Sequence, residues 1–87
     1  MRAIFYILWS TKANKFYVGH STDAIEERIR RHNSNHKGFT GQFQDWKLVY
    51  SEGYPTKELA YAREREVKAW KSKKRIQLLV ADSGHPA

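Results

Sequence analysis

A continuous apolar run near the start of the chain restricts its possible folds more than any other feature. Residues 3–9 read AIFYILW, with no charged residue and with β-branched and aromatic types prominent. A half-exposed strand alternates apolar and polar residues, whereas a strand covered on both faces reads as an unbroken apolar run. The run therefore predicts a central strand with other elements packed on each side.

A second strand is predicted directly after a polar connection. Residues 10–15 are mostly polar, and residues 16–19, FYVG, return to an aromatic strand pattern that ends at Gly19. Two short strands joined by about six residues read as a hairpin. We therefore expect Tyr6 and Tyr17 on neighbouring strands, near the same face of the sheet.

The first helix follows a polar turn. Asp23 is its predicted N-cap, with Glu26 three residues later in an Asp variant of the capping box. Two isoleucines four residues apart supply an apolar stripe, and Arg28 and His32, also spaced i, i+4, share a face beside it. Asn, Ser and Gly accumulate over residues 33–38, where the helix is expected to end.

One strand and a long helix are predicted in the second half of the chain. After a polar loop, residues 46–52 alternate well enough for a third strand, which ends at Gly53. Thr56 is the predicted N-cap of a second helix over residues 57–71.

The elements add up to a single α+β domain. The basic cluster of residues 72–75 is expected to break the second helix, and a short last helix over residues 76–81 follows. Residues 82–87 form a polar C-terminal tail. The order β-β-α-β-α-α predicts a three-stranded sheet flanked by helices, in one domain over residues 1–81. The pairing partner of the third strand is left open.

Composition narrows the class of protein. With 87 residues, 40% of them hydrophobic and 14% aromatic, the chain suits one small folded domain rather than a disordered segment. No apolar run approaches the roughly 18 residues that a membrane span needs. The first segment lacks the cleavage pattern of a signal peptide. There is no cysteine, which excludes disulfides and thiolate metal sites, and we expect a cytoplasmic protein.

Charge is the strongest global indication of a partner. The chain has 16 Lys and Arg against 9 Asp and Glu, a formal net charge of +7. Such a balance favours a polyanion, nucleic acid before membrane, because phosphate neutralisation releases condensed counterions. Many small proteins are simply basic, and a basic surface can also meet an acidic protein partner.

Four short motifs follow one another in a specific order. They are Tyr6-Ile7, Tyr17-Val18-Gly19, Arg28 with His32, and Glu64. Together with the predicted strand WKLVY of residues 46–50 they resemble the GIY-YIG nuclease domain, especially its small stand-alone members related to the incision subunit of nucleotide excision repair. The resemblance covers about residues 3–80. Phe5 stands where the family name has glycine, and His20 follows Gly19 where relatives often carry a basic or apolar residue.

The resemblance implies a magnesium- or manganese-dependent phosphodiesterase on a three-stranded antiparallel sheet. It implies that Glu64 holds the metal as the only protein carboxylate and that Arg28 stabilises charge on the scissile phosphate. Tyr17 or Tyr6 would orient or activate water, and His32 would share the general-base role. These residue types suit the chemistry, because arginine's planar fork binds two phosphate oxygens and histidine titrates near neutrality. One carboxylate with waters and substrate phosphate is a normal magnesium site.

Further positions are assigned to the same site. Gly19 is assigned a structural role there, either as a turn requirement or to allow close approach of the substrate. Four basic residues are assigned to phosphate contacts, namely His20, Arg31, Lys68 and Lys71. Contacts of this kind set affinity and salt dependence rather than sequence preference. A charge run such as residues 71–75 is more often a solvated helix junction.

The site residues also have structural interpretations. Tyrosines in aromatic strands usually belong to the core, and Arg28 by itself is most often a salt-bridge residue. His32 and His36 have the i, i+4 spacing of metal ligands, but no third ligand is evident, so a structural zinc is not expected.

The second helix offers two candidate carboxylates. Its apolar arc consists of Leu59, Ala60, Val67 and Trp70. Glu64 falls at the border of this arc, while Arg63 and Glu66 project closer to its centre. Periodicity therefore does not select Glu64 over Glu66; only the family spacing does.

The best-supported hypothesis is a single-domain, metal-dependent endonuclease that hydrolyses phosphodiester bonds in duplex, branched or damaged DNA, in repair or recombination. Two alternatives remain open at this point. One is a nucleic-acid-binding module on the same fold without turnover, and the other is a basic domain that binds a protein partner.

Overall fold

The structure, a computed structural model, describes residues 2–34 and 38–82, without the side chains of residues 39 and 40. The elements are β1 Ala3–Ser10, β2 Lys15–Ser21, α1 Ile25–His32, a 3₁₀ turn Phe39–Gln42, β3 Lys47–Tyr54, α2 Lys57–Ala69 and α3 Lys73–Asp82. The predicted α+β class and the order β-β-α-β-α-α are therefore confirmed. No helix in the described part of the chain is long and apolar enough to cross a membrane.

The three strands form one antiparallel sheet in the order β2-β1-β3. β1 lies in the centre, as its apolar run predicts, and its residues Phe5 to Leu8 have no exposed surface. The third strand, whose partner the sequence left open, pairs with β1. Between Ile7 and Leu8 the pairing shifts from Tyr50 to Leu48, so β3 accommodates one extra residue there.

Because successive side chains of β1 point to opposite faces, the sheet separates two cores. On one face, Phe5 and Ile7 pack with Val67 of α2 and Val80 of α3. On the other face, Tyr6 and Leu8 pack with Trp46, and the isoleucines of α1 cover them. The helices thus flank the sheet on both sides, which is why β1 needs apolar residues at every position.

The second strand differs from its prediction. It continues through Gly19 to Ser21, and Gly19 lies opposite Tyr6 in the ladder rather than at the strand end. Gly53 likewise lies inside β3, opposite Ile4. A glycine is a weak strand former, but strand pairing on β1 overrides this local preference.

The N-cap prediction for α1 is wrong. Ala24 is the N-cap, with extended backbone and no side-chain cap hydrogen bond. Asp23 lies one residue too early, and its backbone N–H donates to Ser21 Oγ at 2.9 Å. The N-cap prediction for α2 is confirmed, because Thr56 Oγ1 accepts from the backbone N–H of Leu59 at 3.2 Å.

The end of α2 and the start of α3 also differ from the sequence-based expectation. α2 ends at Ala69, and Lys71 follows in a left-handed conformation with φ 48°. The basic cluster then begins α3 at Lys73 instead of separating two helices, and Ser72 Oγ accepts from the backbone N–H of Arg75 at 3.2 Å. Lysine and arginine are good helix formers, so a basic run does not by itself break a helix.

Two smaller expectations need correction. Leu59, assigned to the apolar arc of α2, is 49% exposed, whereas Ala60 and Val67 of the same arc are fully buried. Asp82, assigned to the tail, belongs to α3. The rest of the predicted tail, residues 83–87, lies outside the described residues.

Candidate active site

The centre of the candidate site is the close approach of two tyrosines to Gly19. Tyr6 is fully buried in β1, and Tyr17 of β2 lies near it with a ring-centroid distance of 6.3 Å. A Cβ at position 19 would lie 2.8 Å from both Cζ and the hydroxyl oxygen of Tyr6, and 3.0 Å from Tyr17 Cε1. Glycine is therefore needed here for space, since such distances are far below van der Waals contact.

Helix α1 adds His32 to the tyrosine pair. The imidazole is only 6% exposed, and its Nε2 lies 2.9 Å from the Tyr6 hydroxyl oxygen. Its ring lies 4.5 Å from the Tyr17 ring and 5.9 Å from the Tyr6 ring, centroid to centroid. One turn of α1 separates Arg28 from His32, so both side chains face the sheet at this place.

Arg28 and Tyr6 perturb each other electrostatically. Burial raises the pKa of Tyr6 and outweighs the opposing effect of the Arg28 guanidinium. The hydrogen bond with Tyr6 raises the pKa of Arg28. Arg28 Nε is buried and has no hydrogen-bond partner among the described residues. A buried unpaired donor costs about 1–3 kcal/mol and is tolerated mainly where a site has a use for it.

Glu64 of α2 lies where β2 passes the helix. Its carboxylate accepts from His20 Nδ1 on Oε1 at 2.6 Å and from Lys68 Nζ on Oε2 at 2.7 Å. The Glu64 side chain is 13% exposed, and its charge contributes to the raised pKa of Tyr6. The carboxylate therefore does not face bulk water, and it belongs to the electrostatic surroundings of Tyr6.

The competing carboxylate of the same helix points elsewhere. Glu66 is 60% exposed in its side chain and pairs with Arg63 at 2.7 Å. Arg63 also donates to Glu52 of β3, at 3.1 Å from Nε and 3.2 Å from Nη2. The tertiary structure thus distinguishes the two carboxylates that periodicity left equivalent: Glu64 is shielded beside His20, and Glu66 is exposed beside Arg63.

Comparison with known proteins identifies the family. The GIY-YIG catalytic domain matches residues 2–77 of the chain. The chain belongs to the GIY-YIG family. It is 35% identical over 69 residues to a UPF0213 protein of Staphylococcus saprophyticus, an alignment that covers 78% of this chain and 83% of that protein. It is 35% identical over 63 residues to a UPF0213 protein of Haloquadratum walsbyi, which covers 71% and 70% of the two chains.

A solved structure supports the same fold. The solution NMR structure of a UPF0213 protein from Bacillus halodurans is similar to this chain with a TM-score of 0.63 and 28% identity. The similarity covers 99% of this chain and 89% of that protein. The fold of this chain is thus shared with that UPF0213 protein over nearly its whole length.

The four basic residues assigned to phosphate contacts fall into two groups in this GIY-YIG domain. His20 and Lys68 are both bonded to Glu64. Arg31 is 61% exposed in its side chain, 4.0 Å from a carboxylate oxygen of Glu27, and it lines a depression beside Arg28 and His32. Lys71 is exposed after the end of α2. Only the second group is exposed and without a bond to the site carboxylate.

No group of three His, Cys, Asp or Glu residues within the described ranges is arranged to hold a metal ion. His36, which has metal-ligand spacing with His32, lies outside these ranges. Glu64 is a shielded carboxylate that could contribute to a metal site whose remaining ligands are waters and substrate oxygens.

Sequence reasoning missed two features of the site. It did not predict the bond between the His20 imidazole and the Glu64 carboxylate. It passed over Tyr61, whose ring lies 5.1 Å from the His20 ring and which is 47% exposed. The spacing of Tyr61 three residues before Glu64 was a signal that the two share a helix face, but the position of β2 beside that face was not readable from the sequence.

Proposed function

We propose that this GIY-YIG domain is a metal-dependent endonuclease that hydrolyses phosphodiester bonds in DNA, in a repair or recombination step in the cytoplasm. The convergence of Tyr6, Tyr17, Arg28 and His32 around Gly19 carries the proposal, because a core alone does not require an arginine and a histidine packed against two phenols. The family and the net charge of +7 support a nucleic-acid substrate.

The residues present fit a single magnesium or manganese ion. Glu64 supplies a mostly shielded carboxylate, and the half-exposed Lys68 on its Oε2 can leave readily because exposed ion pairs are weak. Hard divalent cations bind through one or two carboxylates together with waters and phosphate oxygens. When bound, such an ion supplies Lewis-acid stabilisation of charge on the phosphoryl oxygens.

Arg28 is the proposed phosphate-binding residue. Its guanidinium is held in place by Tyr6, and its Nε–H lacks a partner in the described structure. A phosphate oxygen that enters the site can satisfy the arginine donors, and the planar fork suits two oxygens at once. Arg28 thereby neutralises charge that develops during attack on the phosphorus.

The proposed roles of the tyrosines differ because their surroundings differ. The raised pKa of Tyr6 keeps its hydroxyl protonated at neutral pH. With Arg28 donating to the phenol oxygen, we assign the Tyr6 proton to a hydrogen bond toward His32 Nε2. Tyr6 and His32 then act as positioning residues for Tyr17, which is less buried than Tyr6 and packs against the imidazole with the two rings tilted by 54°. Tyr17 is the proposed contact of the attacking water.

A cleavage assay with matched variants tests this proposal. Labelled duplex and branched DNA are incubated with the purified protein and Mg²⁺ or Mn²⁺. We expect Glu64→Gln and Arg28→Lys to lose about 100-fold or more in cleavage rate, in line with the removal of one transition-state contact. Glu66→Gln and Arg30→Lys are the controls, because these residues form exposed ion pairs away from the site.

Two results would contradict the proposal. Glu64→Gln or Arg28→Lys protein that cleaves like the wild type would show that these residues do not act in the reaction. Absence of cleavage by the folded wild type, with both metals and all DNA forms, would favour a binding module without turnover. One observation favours this second candidate, because both oxygens of Glu64 accept hydrogen bonds from His20 and Lys68. Binding of Mn²⁺ to the wild type but not to Glu64→Gln, measured by calorimetry, separates the two candidates.

A further inference from the structure

Tyr61 forms an aromatic surface beside the candidate site that none of the proposed catalytic steps uses. It lies on α2, three residues before Glu64, and 47% of its surface is exposed. Its ring packs beside the His20 ring at 5.1 Å and an interplanar angle of 45°. Because His20 is bonded to Glu64, the exposed ring is only one side chain away from the site carboxylate.

The Tyr61 ring lines a concave surface that encloses a volume of ≈ 360 Å³. It is lined by His20, Lys57, Glu58 and Tyr61. Its size falls within the range of about 300–1,000 Å³ that is usual for small-ligand sites. The Arg65 guanidinium lies 5.8 Å from the Tyr61 ring centroid, so a cation flanks the aromatic surface.

One face of α2 carries three basic residues and one exposed aromatic ring. Lys57, Tyr61, Arg65 and Lys68 follow one another at helical spacings of three or four, so they lie in one row. The row extends for roughly 16 Å at the usual helical rise per residue. Basic residues interleaved with an exposed aromatic ring are the combination that binds single-stranded nucleic acid, with phosphates on the cations and a base on the ring.

We infer that Tyr61 and His20 form a stacking platform for an unpaired nucleobase next to the scissile phosphate. This inference rests on the proposed function, and it narrows the substrate class to DNA with unpaired nucleotides at the cleavage site. A base inside a duplex has no free face to stack on a protein side chain, whereas a base in a flap, bubble or single strand does.

Glu58 argues for a base rather than a phosphate in this concave surface. Its carboxylate is exposed there and would repel a phosphate group. The same carboxylate can accept a hydrogen bond from an amino group on a base edge. Lys57 and Arg65, on the two sides of the ring, are then the contacts for the neighbouring phosphates.

The inference is tested by equilibrium binding without metal, so that no cleavage is required. The probes are a duplex and the same duplex with a short unpaired segment that contains the fluorescent base 2-aminopurine. We expect tighter binding of the second probe and quenching of 2-aminopurine, since stacking on an aromatic ring quenches it. Tyr61→Ala should weaken binding of the unpaired probe about 5- to 10-fold and abolish the quenching, whereas Tyr61→Phe should retain both. Leu78→Ala is the control, because Leu78 is a comparably exposed apolar residue on α3.

The outcomes separate this inference from the proposed function. If Tyr61→Ala, but neither Tyr61→Phe nor Leu78→Ala, loses the preference for the unpaired probe and the quenching, the platform is supported. This holds whether or not the protein cleaves DNA once metal is added. Equal binding of both probes by the wild type, or an unchanged preference in Tyr61→Ala, overturns the platform even if cleavage occurs. Absence of any DNA binding by the folded wild type overturns the inference and the proposed function together.

Discussion

A methyl group at position 19 would occupy space that the Tyr6 ring already fills. A Cβ at this position would lie 2.8 Å from Tyr6 Cζ and 3.0 Å from Tyr17 Cε1, so the two rings would have to move. Moving Tyr6 also moves its hydroxyl away from His32 Nε2. A single residue without a side chain thus determines whether the two phenols and the imidazole meet.

Gly19→Ala is therefore expected to impair both stability and cleavage. Overpacking of this kind costs about 1–3 kcal/mol of unfolding free energy, and the displaced Tyr6 should reduce cleavage further. Gly53→Ala is a matched control, since its Cβ would meet only Arg2 Nη2 at 3.7 Å. Urea unfolding and the cleavage assay measure the two effects. Equal stability and activity of the two variants would show that the tyrosines tolerate a shift.

At the scale of elements, the first turns of α1 and α2 show that an N-cap motif in the sequence predicts the cap of one helix and not of the other. Thr56 caps α2, whereas the predicted cap Asp23 does not cap α1, which begins after Ala24 without a side-chain cap. Both residue types are good caps, so residue type did not decide the outcome. Because β2 extends to Ser21, Asp23 lies in the turn after the strand, and its backbone N–H donates to Ser21 Oγ.

The losses of stability on substitution of Thr56 and Asp23 should agree with the caps seen in the structure rather than with those predicted from the sequence. Thr56→Ala is expected to lower the unfolding free energy by about 1 kcal/mol, because it removes the acceptor for the Leu59 N–H. Asp23→Ala is expected to change it by less than about half of that, since no cap bond is lost. Chemical unfolding of both variants measures the difference. A larger loss for Asp23→Ala would place the cap of α1 at position 23 after all.

The carboxylate of Glu52 joins β3 to α2. It accepts from the hydroxyls of Tyr50 and Tyr54 and from Arg63. Although burial alone would raise the pKa of Glu52, these hydrogen bonds hold it below its usual value. Burial and the neighbouring carboxylate raise the pKa of Tyr54 to about 12.

These shifts predict a loss of stability at both pH extremes. Since the pKa of Glu52 is depressed in the folded state, its contribution is present above the usual value of 4.5 and disappears as the pH falls below it. Since the pKa of Tyr54 is raised, its contribution is present below 10.0 and disappears as the pH rises toward about 12. The urea midpoint should therefore depend less on acid pH in Glu52→Gln than in the wild type, and less on alkaline pH in Tyr54→Phe. Unaltered pH profiles would show that the cluster contributes nothing to stability.

At the scale of the whole molecule, the sheet divides the protein into a site face and a supporting face. Tyr6, Tyr17 and the α1 residues lie on one face, while most of α2 and α3 packs on the other. Glu64 lies on α2 and is bonded to His20 of β2, the edge strand that also carries Tyr17. A site that includes both the tyrosine pair and Glu64 therefore requires α1 and α2 to be docked on the same sheet.

The net charge of +7 predicts strongly salt-dependent DNA binding. The logarithm of the binding constant should fall linearly with the logarithm of the salt concentration, by about 0.7 to 0.9 per phosphate contact. Arg31→Ala should reduce this slope by about one contact, because Arg31 is exposed beside Arg28. Lys12→Ala, in the turn between β1 and β2, is the charge-matched control. Salt titrations that give the same slope for both variants would exclude Arg31 from the DNA-binding surface.

The sequence by itself determined what depends on neighbours along the chain. The uninterrupted apolar run predicted a central β1, the i, i+4 spacing predicted that Arg28 and His32 share a face, and the Thr56 cap is where its motif places it. These are properties of a single strand or helix, so local periodicity and hydrogen bonding suffice to predict them.

Only the tertiary structure decided which segments meet. It paired β3 with β1, bonded Tyr6 to a histidine 26 positions away, and bonded His20 to Glu64 over 44 positions. The choice between Glu64 and Glu66 depends on how α2 is rotated against the sheet, and its apolar arc was too broad to specify that rotation. Contacts of this kind follow from the simultaneous packing of all elements, which no local pattern contains.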